Sequence, residues 1–174
     1  MKRPGILSII AVFAVFTVIT VIFSSCDSIK GDPLYAGKWQ ITETINSDNI
    51  VYNTVRTLEL TKRSFKEIYV IRRESTGKIS AIYGMSGNVK VSHSSYIFYL
   101  EELGTCVRDE MDICTEEISF FGPGTSYYDE NILFYEKAVR CEMEADDTHL
   151  WLVRDINNDG DTTDPGEELQ FERV

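Results

Sequence analysis

The residues best suited to chemistry lie in an acidic stretch near the end of the chain, "DINNDGDTTDPGEE", residues 155–168. Asp155, Asn157 and Asp159 alternate there, so their side-chain oxygens can converge on one cation, and Gly160 permits the sharp turn that follows. Calcium takes about six to eight such oxygens. The stretch therefore predicts a calcium site with these candidate ligands: Asp155, Asn157, Asp159, Asp161, Asp164 and Glu167.

This acidic stretch resembles an EF-hand-type calcium loop of bacterial surface proteins, D-x-N-x-D-G followed by Asp and then Gly-Glu. One extra residue places Gly166 where the bidentate Glu belongs and Glu167 one place late. The flanking segments "HLWLVRD" and "LQFERV" have the pattern of strands, whereas EF-hand loops are flanked by helices. The alternative is a long polar hairpin loop, because Asn, Asp and Gly are ordinary turn residues.

Catalytic patterns are weak. The two histidines, His93 and His149, lie far apart, and each is expected to be structural. Adjacent carboxylates such as Glu101 and Glu102 would point to opposite faces of a strand. The sequence has no phosphate-binding loop, nucleophile elbow or metal-ligating histidine pair. We therefore expect a protein that is not an enzyme.

Four cysteines are present. Cys106 and Cys114 bracket the short polar stretch "VRDEMDI" and are candidates for a disulfide-closed loop in an oxidising compartment. Cys141 shares the apolar phase of Leu133, Tyr135 and Val139 in a strand-like run, which predicts a buried thiol. The spacing does not favour a zinc site.

The fourth cysteine, Cys26, follows a leader. Lys2 and Arg3 precede an apolar run from Ile6 to Phe23, and two serines separate that run from Cys26. The leader resembles a bacterial lipoprotein signal peptide, although Phe23 is bulkier than the residue usual at its position. The resemblance implies cleavage before Cys26 and acylation of its thiol with chains such as palmitate, which together anchor a protein firmly.

Cleavage there would divide the chain into a signal peptide, 1–25, a lipidated tether, 26–34, and one domain, 35–174. The alternative is an uncleaved membrane anchor, because the apolar run is about long enough to span a bilayer. Both interpretations place the domain across the membrane, on the periplasmic or surface side of a bacterial cell envelope. Asp27 resembles an inner-membrane retention signal of some lipoproteins.

The net charge of −11 becomes about −13 without the leader, which carries two basic residues and no acidic one. Such a surface repels nucleic acid and anionic lipid. The lipid is then the predicted membrane attachment, and a divalent cation is the partner that the acidity favours.

From Tyr35 onward, apolar residues alternate with polar ones, and β-branched and aromatic residues dominate. One phase contains Phe65, Tyr69 and Ile71, and another contains Tyr96 and Phe98. Turn signals separate the runs: "NSDN" 46–49, "STGK" 75–78, "SGN" 86–88, "FGPG" 121–124 and "ADDT" 145–148. Short consecutive strands predict an all-β fold, a meandering antiparallel β-barrel of about eight to ten strands.

The first of these strands, "YAGKWQITET", carries Gly37 and Trp39 in a pattern similar to the G-x-W motif of lipocalins. In lipocalins this Trp closes one end of the barrel under a basic side chain, for which Arg173 is the candidate because it shares phase with Leu169 and Phe171. The alternative is a core tryptophan in an unrelated β-sandwich. The resemblance implies a binding protein for a small apolar ligand. A filled barrel would instead indicate a structural or protein-interaction module of the cell surface.

Overall fold

The computed structural model describes residues 32–92, 95–155, 161–162 and 167–174. The described chain folds into nine strands, one short α-helix and one 3₁₀ turn. The strands are β1 (Gly37–Ser47), β2 (Ile50–Leu60), β3 (Ser64–Arg73), β4 (Ile79–Ser92), β5 (Ser95–Arg108), β6 (Cys114–Phe121), β7 (Ala138–Ala145), β8 (His149–Arg154) and β9 (Glu168–Arg173). The helix α1 (Ser126–Asn131) and the 3₁₀ turn (Ile132–Phe134) lie between β6 and β7.

Eight strands close an antiparallel barrel in the order β1-β2-β3-β4-β5-β7-β8-β9, and β9 pairs back onto β1. Strand β6 is an addition that pairs with the second half of β5, from Leu103 to Arg108. The predicted meandering all-β barrel of eight to ten strands is confirmed. Short turns between consecutive strands make each neighbour in sequence the nearest partner in space.

The closure between β1 and β9 is narrow. The described residues pair these strands only at Trp39 with Arg173 and at Gln40 with Glu172. Beyond these pairs the two strands separate around a groove of about 340 Å³. We call this region the β1–β9 seam.

Two sequence predictions about local structure are wrong. The "SGN" segment lies inside β4, where the register shifts at Gly87, and a Cβ atom there would approach the Tyr99 carbonyl oxygen to 1.9 Å. Glycine therefore permits a bulge at this place, not a reversal of the chain. Leu133 is 83% exposed in the 3₁₀ turn, so it does not share a strand with Cys141, which is buried in β7.

The helix that interrupts the predicted strand begins after the "FGPG" turn. Thr125 caps it by accepting a hydrogen bond from the backbone N–H of Tyr128. Tyr128 and Ile132 then pack against Leu103 of β5 in a small apolar cluster. This packing fixes Tyr135 beside the barrel wall.

Candidate binding site inside the barrel

Gly37, Trp39 and Arg173, the predicted closing motif, lie together in the structure. Trp39 is fully buried, and the guanidinium carbon of Arg173 lies 4.4 Å from the centre of its indole ring. Arg173 Nη2 also donates to the Leu34 carbonyl oxygen at 2.6 Å, and Trp39 Nε1 donates to the Tyr35 carbonyl oxygen at 2.8 Å. Gly37 has a φ of 150°, which is unfavourable for residues with a Cβ atom. The motif therefore stabilises one end of the barrel.

Around Trp39 the barrel interior is filled. We call the following buried residues the tryptophan core: Trp39, Leu58, Leu60, Phe65, Val89, Phe98, Cys141, Leu150, Leu152, Leu169 and Phe171. Strands β2, β8 and β9 each contribute two of these side chains, and each of the other five barrel strands contributes one. These side chains pack against one another as a single apolar cluster.

The inward faces of three strands change from apolar to charged within two residues. Strand alternation places Arg56 on the face of Leu58, Glu67 on the face of Phe65, and Arg154 on the face of Leu152. The Glu67 side chain is only 4% exposed and the Arg154 side chain 11%. The barrel therefore encloses an ion cluster directly beside its apolar core.

Within the ion cluster, the two arginines approach opposite oxygens of one carboxylate. Arg56 Nε lies 3.0 Å from Glu67 Oε1, and Arg154 Nη1 lies 3.6 Å from Glu67 Oε2. The Arg56 N–H does not point at the carboxylate, however. Among the described residues, Arg56 Nε, Arg154 Nε and Glu67 Oε1 are buried without a hydrogen-bond partner. Such groups are costly to bury, at about 1 to 3 kcal/mol each.

Arg56 and Glu67 face a cavity of about 190 Å³, which we call the polar cavity. Its other walls are Tyr69, Tyr83, Met85 and Tyr135. The Arg56 guanidinium lies 5.1 Å from the centre of the Tyr69 ring, which orients it by a cation–π contact. Burial, followed by the neighbouring Tyr127 and Tyr83, raises the pKa of Tyr135. Its hydroxyl therefore stays protonated at neutral pH and can donate a hydrogen bond.

Cys141 lies at the boundary between the tryptophan core and the ion cluster, since it pairs with Arg154 across β7 and β8. Burial raises the pKa of this thiol to about 12, and Arg154 opposes the shift while Glu67 adds to it. The thiol is neutral at physiological pH, so it does not act as a nucleophile there.

Cys106 and Cys114 form a disulfide that closes the loop between β5 and β6. Cys26 and His93 lie outside the described residues. His149 Nδ1 lies 2.8 Å from Thr148 Oγ1, in a turn where Asp146 Oδ1 accepts both the Thr148 and the His149 backbone N–H. These hydrogen bonds, first the one from Thr148, lower the pKa of Asp146. The contacts of His149 thus belong to the β7–β8 turn.

The predicted calcium ligands are only partly described. Asp155 is half-buried, Asp161 is exposed and Glu167 is 1% exposed, whereas Asn157, Asp159 and Asp164 lie outside the described residues. Across the described ranges, no three His, Cys, Asp or Glu side chains cluster closely enough to hold a metal ion. Calcium binding stays a prediction.

The ion cluster and the polar cavity were not predicted from the sequence. Glu67 falls between Phe65 and Tyr69 in the phase assigned to the barrel interior. A charged residue at an inward position was the available signal. Arg56, two residues before Leu58, and Arg154, two residues after Leu152, also share the phase of a buried leucine.

No helix in the part of the chain that the structure describes is long and apolar enough to cross a membrane. A scan against protein-family models gives no match for this chain, and a search of curated proteins gives none either.

Proposed function

We propose that this protein is a lipid-anchored bacterial envelope protein whose barrel binds a small ligand in the polar cavity without catalysing its conversion. The leader and Cys26 support the lipid anchor, since they resemble a lipoprotein signal. The barrel and the closing contact of Arg173 with Trp39 support a lipocalin-like binding protein.

The observation that carries the proposal is the polar cavity itself. A cavity of about 150 Å³ is enough for benzene in an engineered protein. The 190 Å³ here therefore admits one six-membered ring with a small substituent. The side chains of the tryptophan core pack on one another, so we place the ligand in this cavity, where Arg56 and Glu67 can contact its polar groups. The tyrosine rings and Met85 can contact the apolar part of the ligand that the sequence predicted.

A role in binding alone is supported by the groups around the cavity. The Glu67 carboxylate lies between two guanidinium groups, at 3.0 Å from Arg56 Nε and 3.6 Å from Arg154 Nη1. Cys141 is a neutral buried thiol. Neither is arranged as an activated nucleophile with an adjacent base.

Native mass spectrometry of the full-length mature protein, released from membranes in a nonionic detergent, tests the proposal. We expect a discrete adduct with the mass of one small molecule. Met85→Trp adds bulk to the cavity wall and should abolish the adduct, whereas Met111→Trp, at a side chain that is 75% exposed, should retain it. A clean apo mass for the wild type would contradict the proposal.

A second candidate is a non-catalytic interaction module. Leu133 and Phe134, adjacent in the 3₁₀ turn, are 83% and 82% exposed, and exposed apolar pairs of this kind favour contact with a partner protein. The same spectra distinguish the two functions, because a protein-sized complex without a small adduct would favour the module.

A further inference from the structure

The polar cavity combines one inward-facing cation with aromatic walls. Arg56 is the only arginine or lysine among the described residues that line it. Arg154 lies behind Glu67 and approaches its second oxygen, so it offsets the negative charge of Glu67 from outside the cavity. Glu167, also buried, accepts the Arg154 backbone N–H through its carbonyl oxygen and is not part of the cavity lining. The Glu67 carboxylate is thus shared by the guanidinium groups of Arg56 and Arg154.

The exposure of the charged side chains also favours Arg56 as the residue that contacts a ligand. Two guanidinium N–H groups, Arg56 Nε and Arg154 Nε, are buried without acceptors among the described residues. These two atoms are closed off from the cavity, but the Arg56 side chain as a whole is 23% exposed, against 4% for Glu67. The exposed part of the Arg56 guanidinium can therefore donate a charge-assisted hydrogen bond to an anionic oxygen in the cavity. The Tyr69 ring, whose centre lies 5.1 Å from the guanidinium carbon, orients Arg56 by a cation–π contact.

We infer that the polar cavity binds the anionic group of a small ring-bearing molecule, with Arg56 contacting the anion and the ring lying between Tyr83 and Tyr135. This inference rests on the proposed function and specifies its ligand class. The shared chemistry is a carboxylate or phosphate on a single ring. A cationic ring is the opposite case, in which Glu67 would be the contacting residue.

The test uses full-length protein in nonionic detergent and measures dissociation constants for benzoate, its neutral isostere benzamide, phenyl phosphate and benzylammonium. We expect benzoate or phenyl phosphate to bind at least about tenfold more tightly than benzamide, because a charge-assisted hydrogen bond replaces a neutral one. Comparing benzoate with phenyl phosphate identifies which anion the cavity takes. These ligand comparisons need no variant and so do not depend on folding of a mutant.

Variants then locate the contact. Arg56→Gln should weaken benzoate binding at least about tenfold and leave benzamide unchanged, whereas Arg72→Gln, at an exposed ion pair with Glu116, should change neither. Glu67→Gln should strengthen benzoate binding, because it removes the carboxylate that competes for Arg56. A merely structural role for Glu67 would not produce this gain.

Equal binding of benzoate and benzamide, or tighter binding of benzylammonium, would overturn the anion inference and leave the proposed function intact. If none of the four probes binds but the native spectra show an adduct, the anion inference is overturned and the proposed function stands. Failure of all four probes with a clean apo mass would overturn both.

Discussion

The tryptophan core and the polar cavity occupy neighbouring parts of one barrel and bury very different side chains. Phe65 and Glu67 lie two residues apart on the same face of β3, yet one stacks on Phe98 at 4.9 Å and the other lies between two arginines. Burying apolar side chains stabilises the fold directly. A buried ion cluster often stabilises no more than apolar side chains of similar volume would.

This difference indicates a division of roles between the two regions. The tryptophan core supplies the stability that holds the barrel closed. Within the described part of the chain, three buried polar atoms of the ion cluster have no hydrogen-bond partner, an arrangement that stability alone does not favour. Natural proteins tolerate such costs at functional sites, which supports the proposal that the polar cavity is the ligand site.

The largest expected effect is in the tryptophan core. Phe171→Ala should lower the free energy of unfolding by about 3 to 5 kcal/mol, since Phe171 is fully buried and its removal leaves a cavity. Urea unfolding followed by tryptophan fluorescence measures the change. The same substitution at Phe134, 82% exposed, should change stability by less than about 0.5 kcal/mol. Equal losses would contradict the assignment of the core.

In the ion cluster, removing one charged side chain should destabilise the fold more than removing all three. Glu67→Leu should destabilise by about 3 kcal/mol because it leaves two buried guanidinium groups without their carboxylate. Replacing Arg56, Glu67 and Arg154 together by Leu should recover this loss or exceed it by about 1 to 4 kcal/mol. The denaturant midpoints of the two variants measure these changes in stability. Glu116→Leu, at an exposed ion pair, is the control. A triple variant less stable than Glu67→Leu would show that the cluster itself stabilises the fold.

Cys141, at the boundary of the two regions, should make stability depend on alkaline pH. Its pKa is about 12 in the folded protein, against about 9 when the chain is unfolded. The folded state therefore retains the proton longer, and stability is fully present below pH 9. Between about pH 9 and 12 it should fall by about 1.4 kcal/mol per pH unit.

The pH effect is measured as the difference between wild type and Cys141→Ala, which removes the contribution of other titrating groups. Iodoacetamide at pH 8 should also label Cys141 in urea and not in the native protein. Rapid native labelling would contradict the burial of the thiol.

The smallest effect should come from the closing motif. Arg173→Met keeps much of the stem that covers Trp39 and removes the charge, and it should cost about 0.5 to 2 kcal/mol. Lys66→Met, which removes a cation above the Phe120 ring on the outside of the barrel, is the matched control with a loss at the lower end of that range. Thermal unfolding compares the two variants.

Alternation in the sequence was enough to predict the barrel, because strand periodicity and turn residues are local signals. The same signals failed at residues 86–88, where glycine permits a bulge, and at Leu133, where a capped helix interrupts the pattern. A charged group inside the barrel could have been predicted, because Glu67 shares the inward phase of Phe65 and Tyr69. Its pairing with Arg154 and the cavity wall formed by Tyr135 depend on barrel closure and helix packing, which join segments far apart in the chain.

At the β1–β9 seam, most of the β1 edge is not paired with β9 among the described residues. Beyond Gln40, every second backbone amide of β1 faces the groove, where the described residues supply no β9 partner. These amides should exchange with deuterium well before their neighbours that bond to β2. A strand edge that lacks a partner among the described residues can pair with another extended chain, and the negative charges of Glu43, Glu168 and Glu172 on β1 and β9 oppose such pairing by repulsion.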